Sequence, residues 1–338
     1  MEDGNISTFN LNFFNNTDCE CSAKLISDYF EIDYDNVFDE LCLHYRSDYN
    51  VLNFIEKFNI DIKQRYYSKT YITCRHAMTA FDNLMYLRKN GLLNLKQMLE
   101  RKTPLSAFLL NNNIKIDVKN KVIHYRNSYY SILHRYEQCT NCIFEKYQCK
   151  SFFNNNLPDY KNCDYREELS ILEGKLYYDK CETEVFIDGT IKDIYSYNSV
   201  RYSPEILNTI ENITYFYDNK IGDLQSKWRY IPNNKYYILE FDVDINNFEL
   251  ISTNAIYDGY GEIGDILERF GYDEYDFSSD NVSPIVYQNI FILTRLVGNF
   301  LWGNGEKFGQ ILPTTKINGE SIRVIREHAV NDSVKEDL

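Results

Sequence analysis

Tryptophan and methionine are scarce in this 338-residue chain, with 2 and 4 copies, and basic charge falls short of acidic charge, 36 Lys and Arg against 50 Asp and Glu. The net charge of -14 makes a whole-chain field that repels polyanions, which argues against a nonspecific nucleic-acid coat protein. A local basic site stays open, because Lys115, Lys119, Lys121, Arg126 and Arg135 cluster where acids are sparse. Long apolar runs are missing as well. The best one, around residues 290–302, is broken by Arg295 and Asn299 and falls short of the ~18–20 residues of a membrane span. No membrane partner is expected. There is no internal repeat and no long low-complexity linker, so the domain boundary is soft. The start, Met1-Glu2-Asp3-Gly4, is acidic and lacks the basic-then-apolar pattern of an export signal. A cytoplasmic location is therefore expected, with the nine cysteines, an odd number, reduced or metal-bound.

What is present is aromatic. The chain holds 30 Tyr and 21 Phe, and its 44% hydrophobic and 16% aromatic content is too high for intrinsic disorder. At one domain per ~150 residues the length allows about two domains with a real core, which excludes a coiled rod or a miniature disulfide scaffold. The Asn-, Lys- and Ile-rich background resembles the usage of an A/T-rich genome and says nothing of mechanism.

Residues 22–60 read as helices, because Leu25, Ile26, Tyr29 and Phe30, then Val37, Phe38 and Leu41, then Val51, Leu52, Ile55 and Phe58 recur at three- and four-residue spacings. Residues 66–74 are β-branched and aromatic and predict a strand. Thr79 to Asp82 reads as a capping-box variant, opening a helix with Phe81, Leu84 and Leu87 on one face and a stop at Asn90-Gly91. A helix over 92–99 is expected next, then one capped by Thr103 with Pro104 at its first position. Residues 114–118 and 121–125, split by Lys119-Asn120, predict a hairpin. β character returns at 175–178, 184–187, 236–245 and 310–317, and a buried helix over 284–301 follows Ser283 as its cap. The fold class is therefore α+β. A helical N-terminal unit (1–65) precedes a core (66–330) with a mixed or antiparallel sheet, flanking helices and a Cys-rich insertion at about 136–165, and then a polar, frayed tail (331–338).

The stretch 71–93, YITCRHAMTAFDNLMYLRKNGLL, places a histidine near a strand end, a threonine three residues later, then a helix and a Gly-Leu-Leu. This order resembles the first motif of the ADP-ribosyltransferase superfamily, in the branch with a histidine on its first core strand, which includes DNA-targeting toxins and RNA 2′-phosphotransferase-like enzymes. The resemblance spans about 25 residues. It implies an NAD-using enzyme, of bacterial toxin or antiviral (phage-defence) type, acting on a macromolecular acceptor, protein or nucleic acid. His76 would orient NAD, with Arg75 as the alternative occupant, while Thr79 and Gly91 would shape the pocket. Both imidazole and guanidinium donate hydrogen bonds to ribose hydroxyls or phosphates, and a bent, desolvated dinucleotide loses nicotinamide more readily. The family also carries a late-strand glutamate that stabilises the ribosyl cation. The nearest segment here offers Gln310, with Glu320 further on and Glu184 on an earlier strand; with Gln310 in that place the negative charge is missing and transfer slows or is lost. The family's middle tyrosine corresponds to Tyr202, Tyr236 or Tyr237.

Three other patterns carry chemistry. Cys139, Cys142, Cys149 and Cys163 are four thiols in a polar stretch with little periodicity, suited to one tetrahedral zinc that would order it, with an iron–sulfur cluster as the formal alternative. That pattern also fits a non-catalytic, zinc-stapled binding or regulatory protein. Over 236–245, Tyr237, Leu239, Phe241, Val243 and Ile245 alternate with Glu240, Asp242 and Asp244. The carboxylates read either as the solvated face of a half-buried strand or as Mg2+ ligands of a nuclease. Cys19 and Cys21, ahead of the first helix, suggest a thiol nucleophile with His44 as the only nearby histidine. The 303–309 glycine loop lacks a P-loop ending and reads as a turn.

Overall fold

The computed structural model describes residues 7–15, 19–120, 122–126, 128–131, 183–196, 201–218, 223–249, 261–272, 281–302 and 307–330. The Cys-rich stretch with Cys139, Cys142, Cys149 and Cys163, the strand expected at 175–178 and the tail after 330 lie outside them.

The chain opens with strand β1 (Thr8–Leu11), which the sequence reading lacked, and three helices, α1 (Cys19–Phe30), α2 (Tyr34–His44) and α3 (Val51–Phe58), where the spacings over 22–60 predict helices; Cys19 and Cys21 lie inside α1 rather than ahead of it. Their ends follow local chemistry: Asp33 accepts the Asn36 amide at 3.0 Å, and Asn50 and Asn53 cap each other reciprocally. Strand β2 (Lys69–Ala80) comes next, then α4 (Met85–Asn90), α5 (Leu95–Glu100) and α6 (Pro104–Asn111). Thr103 and Ser106 form the capping box of α6 with Pro104 in its first turn, as expected. Strands β3 (Ile114–Asp117) and β4 (Val122–Tyr125) make the expected hairpin, and β5 (Ser128–Ser131) adds a third strand.

Further along lie β6 (Thr183–Phe186), α7 (Ile191–Ser196), α8 (Glu205–Asp218), α9 (Leu224–Arg229), β7 (Lys235–Asp244) and α10 (Gly261–Arg269). Helix α11 (Pro284–Leu293) passes through a π-helical turn (Thr294–Gly298) into α12 (Asn299–Trp302), and β8 (Phe308–Ile311) and β9 (Arg323–Ala329) follow. Six strands form one sheet in the order β8-β6-β2-β7-β9, with β1 on β2. The β1–β2 pair is parallel and the β2–β6 and β7–β9 pairs are antiparallel, which makes the sheet mixed and the fold α+β.

Four local expectations are corrected. β2 continues past residue 74 to Ala80, because Ala77, Thr79 and Ala80 are all buried and the sheet outweighs any local capping preference. Thr79 is therefore a strand residue rather than a cap; Asp82 takes that work, accepting the Tyr86 amide at 2.9 Å after a turn in which Asn83 and Leu84 have positive φ. The helix expected from 92 begins only at Leu95, capped by Asn94 and Gln97, because Leu92 is held in a bridge to Ile317. The strand expected over 310–317 ends at Ile311, two residues before Pro313, which cannot donate to a ladder.

The chain divides into two compact units. The first holds residues 1–75, 184–190 and 241–311. Its core contains a polar peg in an otherwise apolar helix: the Gln288 amide donates to the Tyr29 hydroxyl at 2.6 Å and to the Thr70 hydroxyl at 3.2 Å, while Asn289 donates to the carbonyls of Ile62 and Gln64, each at 2.9 Å. The second holds residues 76–183, 191–240 and 312–338. There α6, the β3–β4 hairpin, α8 and α9 bury Phe108, Ile114, Ile123, Leu207 and Trp228 in one cluster. Among the described residues no helix is long and apolar enough to cross a membrane.

Candidate functional site

His76 is half-buried and lies within β2, whose alternation was expected to end near it but continues to Ala80. Successive residues of a strand point to opposite sheet faces, so Arg75 and His76 cannot substitute for one another at a single ligand. The Arg75 guanidinium lies 3.9 Å from the Phe14 ring centroid, a cation–π contact. Just before it, Cys74 is fully buried and its thiol is pushed well up, first by burial and then by the Asp242 carboxylate, which makes it unreactive.

The two residues expected to shape a pocket are both engaged by the fold. Thr79 accepts a hydrogen bond from the Trp228 indole at 2.9 Å, in the core of the second unit. Gly91 ends α4 with φ +76°, and a Cβ there would stand 2.1 Å from the Ile317 carbonyl oxygen. Gly319 is equally tight against the carbonyls of Leu87 and Arg88, and the Arg88 guanidinium donates to the Gly319 carbonyl at 2.9 Å. The Gly91 turn is thus a backbone-to-backbone joint between α4 and residues 317–319.

Gln310 on β8 and Glu184 on β6 are exposed and sit on neighbouring strands of the first unit. The Gln310 carbonyl accepts the Glu249 amide at 3.0 Å. Glu320 lies in a 3-10 turn capped by Asn318. His76, Thr79 and Gly91 belong to the second unit. Of the three tyrosines, Tyr236 and Tyr237 are buried and their hydroxyls are raised above the ordinary tyrosine range chiefly by burial, whereas Tyr202 is half-buried.

The carboxylates of β7 have separate structural partners. Asp242 accepts from the Thr73 hydroxyl at 2.9 Å, Glu240 pairs with Arg323 at 3.2 Å, and Asp244 accepts the Asn246 amide at 3.0 Å. β7 is a central strand with Tyr236 to Leu239 buried on both faces, while from Leu239 on the expected alternation holds, with Phe241 and Val243 buried and Glu240, Asp242 and Asp244 half-buried. Among the described residues no three of His, Cys, Asp and Glu come together as metal ligands. The four cysteines proposed for zinc lie outside those residues. Of the basic cluster, Lys115, Lys119 and Arg126 are exposed around the β3–β4 hairpin.

On α2, His44 stacks on Tyr49 with ring centroids 3.9 Å apart and faces the Glu40 carboxylate at 3.5 Å; Lys57 reaches the same carboxylate at 3.8 Å. Two arrangements escaped sequence reading. Tyr202 carries two guanidiniums on its ring, Arg201 at 4.5 Å and Arg229 at 4.6 Å from the centroid, and no spacing links Tyr202 to Arg229, 27 positions on, in this way. Cys42 meets Cys19 with sulfur atoms 3.0 Å apart, and helical periodicity alone does not report that encounter. No family model, no curated protein and no solved structure matches this chain.

Proposed function

We propose that the chain is an NAD-using, ADP-ribosyltransferase-like effector of toxin or phage-defence type, working in the cytoplasm on a macromolecular acceptor. The observation that carries this reading is the order of elements around His76. A half-buried imidazole on β2 is followed by α4 and then by the Gly91 turn, packed backbone against backbone on Ile317. In this reading a ring N–H of His76 donates to the ribose or pyrophosphate of NAD and holds the dinucleotide for nicotinamide loss. A carboxylate opposite the ribosyl centre would stabilise its developing positive charge. The resemblance implies Gln310, with Glu184 as the carboxylate alternative, for that role. Zinc held by Cys139, Cys142, Cys149 and Cys163 would be structural in this protein.

Purified chain incubated with NAD is expected to release nicotinamide, read by chromatography, and His76→Ala is expected to abolish release while its circular dichroism spectrum stays that of the parent. Absence of both nicotinamide release and NAD binding in the parent chain would overturn the proposal. The uncharged side chain of Gln310 favours a second reading, a binding protein that retains the dinucleotide without turnover. NAD that raises the melting temperature but yields no nicotinamide selects it.

A further inference from the structure

We infer that Cys19 and Cys42 form a reversible disulfide that staples α1 to α2, making this pair a site of thiol oxidation. Cys19 is the first residue of α1 and Cys42 lies in the last turn of α2, 23 residues away in sequence. Their sulfur atoms stand 3.0 Å apart, so a bond of ~2.05 Å needs a further approach of only about 1 Å. The Cys19 thiol is also held from the side by the Phe38 carbonyl at 3.8 Å, one helical turn before Cys42. The sulfur atoms therefore already face each other.

The remaining described thiols differ. Cys74 is fully buried and protonated. Cys21 is two residues beyond Cys19 on the same helix, and residues at that spacing point to different sides. Among the described residues no third metal-ligating side chain joins Cys19 and Cys42, and two facing thiols suit two-electron thiol chemistry. Cys42 is exposed and Cys19 partly so, which lets a small disulfide such as oxidised glutathione reach Cys42 first.

The exchange balances. The Cys42 thiolate attacks one glutathione sulfur, the glutathione S–S bond breaks, and one glutathione thiolate leaves. The Cys19 thiolate then attacks the Cys42 sulfur of the mixed disulfide and expels the second glutathione thiolate. Two protein thiols are oxidised, one glutathione disulfide is reduced to two glutathione thiols, and the two thiol protons end on glutathione. The closed loop restricts the unfolded chain, so the oxidised form melts at a higher temperature.

The full-length chain, equilibrated at graded ratios of reduced to oxidised glutathione and then alkylated, is read by non-reducing peptide mapping and by thermal melting. A cross-linked peptide joining Cys19 to Cys42 is expected to grow with the oxidised fraction and to survive Cys21→Ser. It should vanish in Cys19→Ser and Cys42→Ser. The melting temperature of the parent should rise by several degrees on oxidation, with Cys42→Ser unmoved. Circular dichroism of each variant under reducing conditions confirms a folded chain. A folded parent with no such peptide at any ratio, or a bond from Cys21 in its place, overturns the inference. Neither result bears on NAD.

Discussion

The indole N–H of Trp228 donates to the hydroxyl of Thr79 at 2.9 Å inside the core of the second unit, where Phe81 and Phe108 meet the same indole edge-on at centroid distances of 5.2 and 5.0 Å. A buried donor without an acceptor keeps its full desolvation cost. Thr79→Val, nearly isosteric, should therefore lower stability by about 1–3 kcal/mol in urea unfolding. Trp228→Phe removes the donor as well as bulk, and the double variant should lose less than the sum of the two single losses, since the pair is coupled. Full additivity would show that this hydrogen bond carries no stability.

Gly91 allows a comparison between steric contact and backbone strain. At Gly91 an added Cβ meets the Ile317 carbonyl oxygen at 2.1 Å, with φ at +76°, whereas Gly271 has φ +87° and nothing within 4 Å. Gly271→Ala should cost about 1–2 kcal/mol, the left-handed penalty alone. Gly91→Ala should cost clearly more, because backbone on both sides must move. Paired denaturation curves decide this, and equal losses would mean that the joint at residues 317–319 yields freely.

How much of this was legible in the sequence depends on whether a residue's partner is local. The helices expected over 22–60, the Thr103–Pro104 start of α6 and the β3–β4 hairpin are set by spacing, caps and turns, and they formed, with α1 starting three residues early at Cys19. β2 was read too short because the residues that extend it, Ala77 to Ala80, are ordered by sheet and core neighbours rather than by their own propensity. Thr79 looked like a cap for the same reason, since its partner Trp228 is 149 residues away. The β7 alternation was read correctly as a strand, yet its carboxylates find Thr73 and Arg323 only through tertiary pairing. Gly91 was singled out for a ligand pocket, and its requirement comes from the chain at Ile317.

Zinc is expected from thiol number and spacing. Protein purified without chelator should contain about one zinc per chain by elemental analysis, the stoichiometry of a four-thiolate site. Stripping the metal should lower the melting temperature, because metal binding contributes folding free energy. A serine at any one of Cys139, Cys142, Cys149 or Cys163 should reduce the bound zinc, while Cys74→Ser should not.

Alkali should unfold the protein for a reason visible in its tyrosines. Burial is the largest cause raising the hydroxyls of Tyr29, Tyr49, Tyr66, Tyr236, Tyr237 and Tyr287 above their ordinary 10.0, and it raises the Cys74 thiol above its ordinary 9.0. As pH passes those ordinary values the unfolded chain releases protons that the folded chain keeps. The native state then binds more protons than the unfolded state, which gives stability a negative slope against pH. The contribution of these groups is fully present below about pH 9, begins to fall there through Cys74 and falls faster above pH 10 as the tyrosines join. Urea midpoints from pH 8 to 11 should follow that order, and tyrosinate absorbance should rise in two stages, exposed rings first and buried rings with unfolding. A flat urea midpoint across that range would mean the buried hydroxyls ionise as readily in the folded chain as in the unfolded one.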